Sequence, residues 1–211
     1  MNKDTLPISK EGWNYIGSAI AIFILFVILH LDILSFIALA FIAFFAFIYR
    51  NPERELSSFE GNNIVTTPVD GRVVYIENLV DSEYAYRVEI ESRCSDVGFL
   101  RVPMNATVVD LKIMKGTKLP LSSELFSKLN ENITMILEDG DLNRLKVTHF
   151  SKVSFDDLKI DIAKNQIVGA SIRYGFMLNG ITSLYLPKDF KLDIRAGSKV
   201  IASKTLIGSF K

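Results

Sequence analysis

Few residues in this chain of 211 are of types that do chemistry on their own. There is one cysteine, Cys94, so no internal disulfide and no cysteine-based zinc site can form. Of the two histidines, His30 lies in a long apolar stretch, which removes a histidine-rich metal site from consideration. His149 falls in a predicted strand, where a half-buried structural role is expected. Asp70 sits in Pro68-Val69-Asp70-Gly71, with Asp and Gly where turn chemistry wants them, so a plain turn residue is one reading of it. No glycine-rich phosphate loop, no G-x-S-x-G elbow and no H-E-x-x-H occurs, which leaves an ordinary hydrolase or nucleotide enzyme unsupported. Lys+Arg and Asp+Glu are both 24, so no bulk charge draws the chain to nucleic acid.

The dominant element is the apolar stretch from Trp13 to Tyr49, which holds no Lys, Arg or Glu and is interrupted only by His30 and Asp32. Split there, it gives two helices, Trp13–Leu29 and Ile33–Tyr49, each roughly 25 Å long at about 1.5 Å per residue. That is just enough to cross a hydrocarbon core of about 30 Å with some local thinning. One continuous helix would be roughly 55 Å, too long for a bilayer. A hairpin is therefore expected, turning at His30-Leu31-Asp32, with Trp13, Tyr15 and Tyr49 at the near interface. A cleaved signal peptide would be shorter, and a soluble helical hairpin would carry a polar stripe. Spanning the bilayer and dipping into one leaflet both stay open. Lys3 and Lys10 precede the hairpin and Arg50 and Arg54 follow it, which places the rest of the chain on the cytoplasmic side.

Residues 51–211 form one domain of ordinary size, with the anchor confined to residues 1–50. After the charged elbow Arg50–Glu55, the pattern changes to period two. Strands are predicted at Ile64–Thr67, Arg72–Glu77, Tyr84–Glu91, Gly98–Arg101 and Thr107–Met114. A short helix opens at Pro120 and runs to about Leu129, with Leu121, Leu125, Phe126 and Leu129 on one stripe. Ile133–Glu138 and Arg144–Phe150 flank the turn Glu138-Asp139-Gly140-Asp141. Further strands are expected at Ile160–Ala163, Gln166–Val168, Tyr174–Leu178, Thr182–Leu186, Lys191–Ile194 and Lys199–Ala202. Many short strands with regular turns predict a β-dominated barrel or sandwich with minor α content.

Several fragments then line up in order: Tyr49–Glu55 (YRNPERE), Thr66–Glu77 (TTPVDGRVVYIE), Lys128–Asp139 (KLNENITMILED), Arg173–Gly180 with Tyr185–Pro187 (RYGFMLNG, YLP), and Asp193–Ala202 (DIRAGSKVIA). Together they resemble the short bacterial and archaeal form of phosphatidylserine decarboxylase, over nearly the whole chain. The resemblance implies a membrane-associated phospholipid enzyme made as a proenzyme. In that family a serine in a Gly-Ser pair attacks the preceding peptide bond and becomes an N-terminal pyruvoyl group, the electron sink for loss of CO₂, and an Asp and a His assist.

Carried over residue by residue, the resemblance implies that Asp70 holds the family aspartate position. The histidine block reads SDVGFLRVP here, with Gly98 at the histidine position. Anchoring on Arg173-Tyr174-Gly175 puts the Gly-Ser pair on Gly180-Ile181, and anchoring on Tyr185-Leu186-Pro187 puts it on Asn179-Gly180. Neither register carries a hydroxyl. Ser183 is the nearest serine, reached only through an insertion and preceded by Thr182, which would itself yield a ketobutyryl group.

The resemblance therefore leads to an expected anchored family member at the bacterial inner membrane, without a cofactor, holding a lipid-binding or regulatory role. Its partners would be the phospholipid membrane and phosphatidylserine, with no nucleic acid, and an edge strand would allow a homodimer. An active decarboxylase with Ser183 as pyruvoyl precursor is the alternative. A non-enzymatic β module is the third reading, since AGSKVIASKTLIG also looks like the turn of biotinyl- or lipoyl-carrier domains, although Lys199 lacks their flanking pattern.

Overall fold

The computed structural model describes residues 7–54, 63–80 and 83–211. The chain divides into two compact units, one ending at Glu53 and one beginning at Arg54.

In the first unit, a 3-10 turn (Lys10–Gly12) leads into α1 (Trp13–Ile28), and α2 (Asp32–Ile48) returns from a short turn. His30 sits in that turn with φ of 54°, the left-handed conformation that reverses the chain. Asp32 opens α2 rather than belonging to the turn, and its carboxylate suits a helix N-terminus. Small residues let the helices approach: Ala19 and Ala38 are the buried ones midway along each. The open end of the hairpin is closed by aromatic stacking. Tyr15 lies 5.5 Å from both Phe45 and Tyr49, centroid to centroid. Pro7 and Ser9 bond across to Asn51 and Tyr49, from Asn51 N to Pro7 O at 2.7 Å and from Ser9 N to Tyr49 O at 2.8 Å. Gly12 is required there, because a Cβ would fall 2.4 Å from the Tyr49 ring. Most of the large apolar side chains of both helices are exposed. Lys10–Ile28 is long and apolar enough to cross a membrane, while Asp32–Ile48 is apolar but shorter.

The second unit is β-dominated. Its strands are β1 (Ile64–Thr66), β2 (Gly71–Asn78), β3 (Tyr86–Ser92), β4 (Phe99–Arg101), β5 (Ala106–Met114), β6 (Asn132–Glu138) and β7 (Arg144–Ser151). They continue with β8 (Lys159–Ile160), β9 (Ile167–Val168), β10 (Arg173–Phe176), β11 (Gly180–Leu186), β12 (Phe190–Leu192), β13 (Lys199–Val200) and β14 (Leu206–Phe210). The main sheet has eight strands in the order β13-β2-β3-β11-β7-β6-β5-β9, and two three-stranded sheets, β1-β14-β12 and β4-β10-β8, accompany it. Alternation along the strands sends one face into the core: Val88, Ile90, Val147, Met135, Leu137 and Leu184 are all buried in one cluster.

Two sequence expectations need correction. The helix expected from Pro120 is a single turn, α3 (Phe126–Leu129), and only Phe126 of the expected stripe is buried, against Phe150 at 5.7 Å. Leu121, Leu125 and Leu129 are exposed by about half. Strand β14 was not expected at all, yet it is the middle strand of its sheet, between β1 and β12.

Register defines one rim of the main sheet. Arg72 pairs with Glu91, Ser92 with Gly180, Gly180 with Ser151, and Asn132 with both Phe150 and Met114. The starts of β2, β11 and β6 and the ends of β3, β7 and β5 therefore lie along one edge, and the turn holding Asp70 opens from it.

Candidate functional site

The Thr67–Gly71 turn is locked from within. Thr67 Oγ1 donates to Val69 O at 2.9 Å, and Ser92 Oγ donates to Asp70 O at 2.6 Å. Gly71 passes so close to β3 that a Cβ would lie 2.1 Å from Glu91 O, so no other residue fits there. The Asp70 carboxylate points into the unit and is held by three donors. Arg54 grips it with a two-pronged guanidinium fork, one prong at 2.6 Å, and Ala202 N donates at 2.8 Å. Both side chains are nearly dry, at 8% and 12% exposure, so the pair is desolvated and geometrically specific.

Gly180 is linked to the Asp70 turn, and Gly98 to Met177 beside Gly180. Gly180 is the β-ladder partner of Ser92, whose hydroxyl bonds to Asp70. Gly98 O accepts from Met177 N at 2.8 Å, and Met177 Sδ lies 2.4 Å from where a Gly180 Cβ would be. A Cβ at Gly98 would meet the Phe176 ring at 2.7 Å. The structure thus links Gly180 to the Asp70 turn through Ser92, sets Gly98 beside Phe176 and Met177, and fills the space beside the two glycines with those two side chains. Ile181, the other residue of the upstream register, is buried and pairs with Glu91 and Phe150.

Ser183 is elsewhere. It lies three residues into β11 from Gly180, buried, opposite Glu89 and Thr148. By strand alternation it faces the side of the sheet opposite to Gly180 and Thr182. Thr182 belongs to a second polar group on the core face. His149 Nδ1 is 2.8 Å from Thr182 Oγ1, and His149 Nε2 is 2.6 Å from Tyr174 OH. The histidine is fully buried, not half-buried as its sequence context suggested. Burial pushes its pKa down to about 3 and raises that of Tyr174 well above the usual phenol value. A neutral ring donates through one nitrogen and accepts through the other, so the two hydroxyls satisfy it completely.

Sequence reasoning did not find the Arg54 fork, the Thr182–His149–Tyr174 chain, or Phe176 and Met177 as the residues that fill the rim. Among the described residues, no group of three or more His, Cys, Asp or Glu is placed to hold a metal ion.

This architecture is an apolar helix pair followed in the chain by a β unit, with the Asp-Gly turn and the Asn179-Gly180 segment brought to one rim of the latter. Residues 41–208 match the family described as phosphatidylserine decarboxylase. The chain belongs to that family. It is 26% identical to a phosphatidylserine decarboxylase proenzyme of Syntrophotalea carbinolica over 216 residues, covering all of both chains. It is 28% identical to the proenzyme of Geobacter metallireducens, over 99% of each chain, and 29% identical to that of Geotalea uraniireducens, over 98% of each.

Two predictions follow from this geometry. Arg54→Ala leaves the Asp70 carboxylate buried without its main partner and should cost about 3 kcal/mol in urea unfolding of the full chain in detergent. Arg54→Lys should recover only part of that, since an ammonium cannot form the fork. A loss under about 1 kcal/mol for Arg54→Ala would contradict the buried pair. For His149, the folded pKa lies below the unfolded value of about 6.5. The unfolded chain then binds the extra proton, so this stability is complete above about pH 6.5 and is lost as pH falls toward 3. The unfolding free energy should fall by up to about 1.4 kcal/mol per pH unit from this group, and His149→Gln should remove that component of the slope.

Proposed function

We propose that this chain is a membrane-anchored member of the phosphatidylserine decarboxylase family that does not form a pyruvoyl group and acts on phospholipid metabolism by binding or regulation. Residues 1–50 are its anchor and residues 51–211 its cytoplasmic domain. The observation that carries the reading is the rim around Asp70. The positions that would supply the histidine and the nucleophile are Gly98 and Gly180, and Phe176 and Met177 crowd any side chain added there.

A pyruvoyl group needs a serine as its precursor, and the residues present do not fit that requirement. Asn179, Gly180 and Ile181 carry no hydroxyl. Ser183 sits inside a strand paired on both sides and faces away from the Asp70 rim. Asp70 itself is engaged with Arg54. What supports the anchor is the apolar character of both helices, with their large side chains exposed. The positive flanks Lys3, Lys10, Arg50 and Arg54 support a cytoplasmic orientation at the bacterial inner membrane.

The competing reading is an active decarboxylase with Ser183 as precursor, favoured by the proenzyme names of the relatives at full coverage. Incubating the purified full chain with vesicles containing phosphatidylserine separates the two. The expected result is co-flotation with the vesicles and no CO₂ or phosphatidylethanolamine above the vesicle background. Sustained turnover would overturn the proposal.

A further inference from the structure

Among the described residues of the β unit, Leu142, Asn165, Ser171 and Ser203 have positive φ without being glycine. Asparagine tolerates that region, and Leu142 turns the exposed tip of the β6–β7 hairpin. The two serines are different. They lie at φ of 69° and 65° in turns that both touch Arg54. Ser171 Oγ donates to Arg54 O at 3.4 Å, and Arg54 Nη1 donates at 3.4 Å to the carbonyl of Ala202, the residue before Ser203. A serine in the left-handed region carries a backbone strain that a glycine would not. Ser203 carries a second cost. It is fully buried, and its hydroxyl has no hydrogen-bond partner among the described residues. Neither cost persists unless the surroundings impose it.

What imposes it is the seating of residues 201–205, the connection between β13 and β14, on the Thr67–Asp70 turn. Ala202 N donates to Asp70 Oδ1 at 2.8 Å, Ser203 N to Thr67 O at 3.0 Å, and Thr67 N to Thr205 O at 3.0 Å. Ile201 N donates to Thr205 Oγ1, and Lys204 N and Thr205 N both donate to Ile201 O, each at 3.0 Å. All five amides of the segment are therefore bonded. The Asp70 carboxylate that receives the Ala202 amide is itself held by the Arg54 fork. We infer that residues 201–205 are a strap and Arg54 is its latch. The strap opens as a local unit while the rest of the β unit stays folded, because opening relieves both costs at Ser203 and breaks only the few bonds organised by Asp70, Thr67 and Arg54. Arg54 is the first residue of the β unit and lies 148 positions before Ala202. The latch thus couples the entry of the chain into the unit to the state of its C-terminal turn. In the open state the Asp70 carboxylate has lost the Ala202 amide and can accept another donor.

The test is amide hydrogen exchange of the full chain in detergent, read by mass spectrometry at urea concentrations below the unfolding transition. Burial alone would class the strap with the core, since Val200, Ala202, Ser203 and Ile207 are all fully buried. A latched strap instead exchanges at least tenfold faster than β11, with less than half the urea dependence. Arg54→Lys keeps the charge but cannot form the fork, and should speed exchange of residues 201–205 at least fivefold. Ser203→Gly removes both costs, should fold at least as well as the parent chain, and should slow that exchange at least fivefold. Exchange of the strap at the rate and urea dependence of β11 would overturn the inference, because the turn would then open only with the whole unit. Unchanged exchange in Arg54→Lys would also overturn it, by leaving no latch. So would unchanged or faster exchange in Ser203→Gly, by leaving no strain to relieve.

Discussion

The close approach of backbone at the start of β11 constrains everything around it. Gly180 is flanked by Ser92 of β3 and Ser151 of β7, with Phe150 O 2.4 Å and Met177 Sδ 2.4 Å from the place a Cβ would take. Packing at such distances leaves no volume for a hydroxyl, and Phe176 does the same at Gly98. The polar anchor of this rim is Asp70. Its fork with Arg54 ties the first residue of the β unit to the turn before β2, and its bond from Ala202 ties in the segment after β13.

The other polar groups follow the same logic. His149 shares the core face with Thr182 because both sit opposite one another on paired strands. A histidine in a dry core stays neutral and needs one donor and one acceptor, which Tyr174 and Thr182 supply. The arrangement has the residue types of a nucleophile and a base. Its setting in a fully hydrogen-bonded central strand makes it a satisfied core network. Ser183, one residue on, belongs to the other face with Thr148, which bonds to Thr134 at 3.1 Å. A one-residue step in the strand thus puts Ser183 and the Thr182–His149 pair on opposite faces of the sheet.

Much of the architecture was legible because it rests on local periodicity. The helix pair was readable from apolar length and the break at His30 and Asp32, and the long strands from period two and their turns. What escaped rests on tertiary context. Strand β14, Leu206-Ile207-Gly208-Ser209-Phe210, carries an internal glycine that reads as a turn. Gly208 is required because Lys191 O would lie 2.0 Å from its Cβ, a close approach no local pattern reveals. The Leu121–Leu129 stripe read as one face of a short helix, yet only Phe126 packs inward, against Phe150. Asp70, Gly98 and Gly180 could be placed by motif, while the Arg54 fork joins residues 16 positions apart on either side of β1 and leaves no spacing to read.

The central claim is that the chain stays whole because no nucleophile stands at the rim, and intact mass spectrometry of the protein purified in detergent tests it most directly. The account predicts a single species at 23.7 kDa. Two fragments separating at Thr182–Ser183, the smaller one beginning with a pyruvoyl group, would contradict it and make Ser183 the precursor.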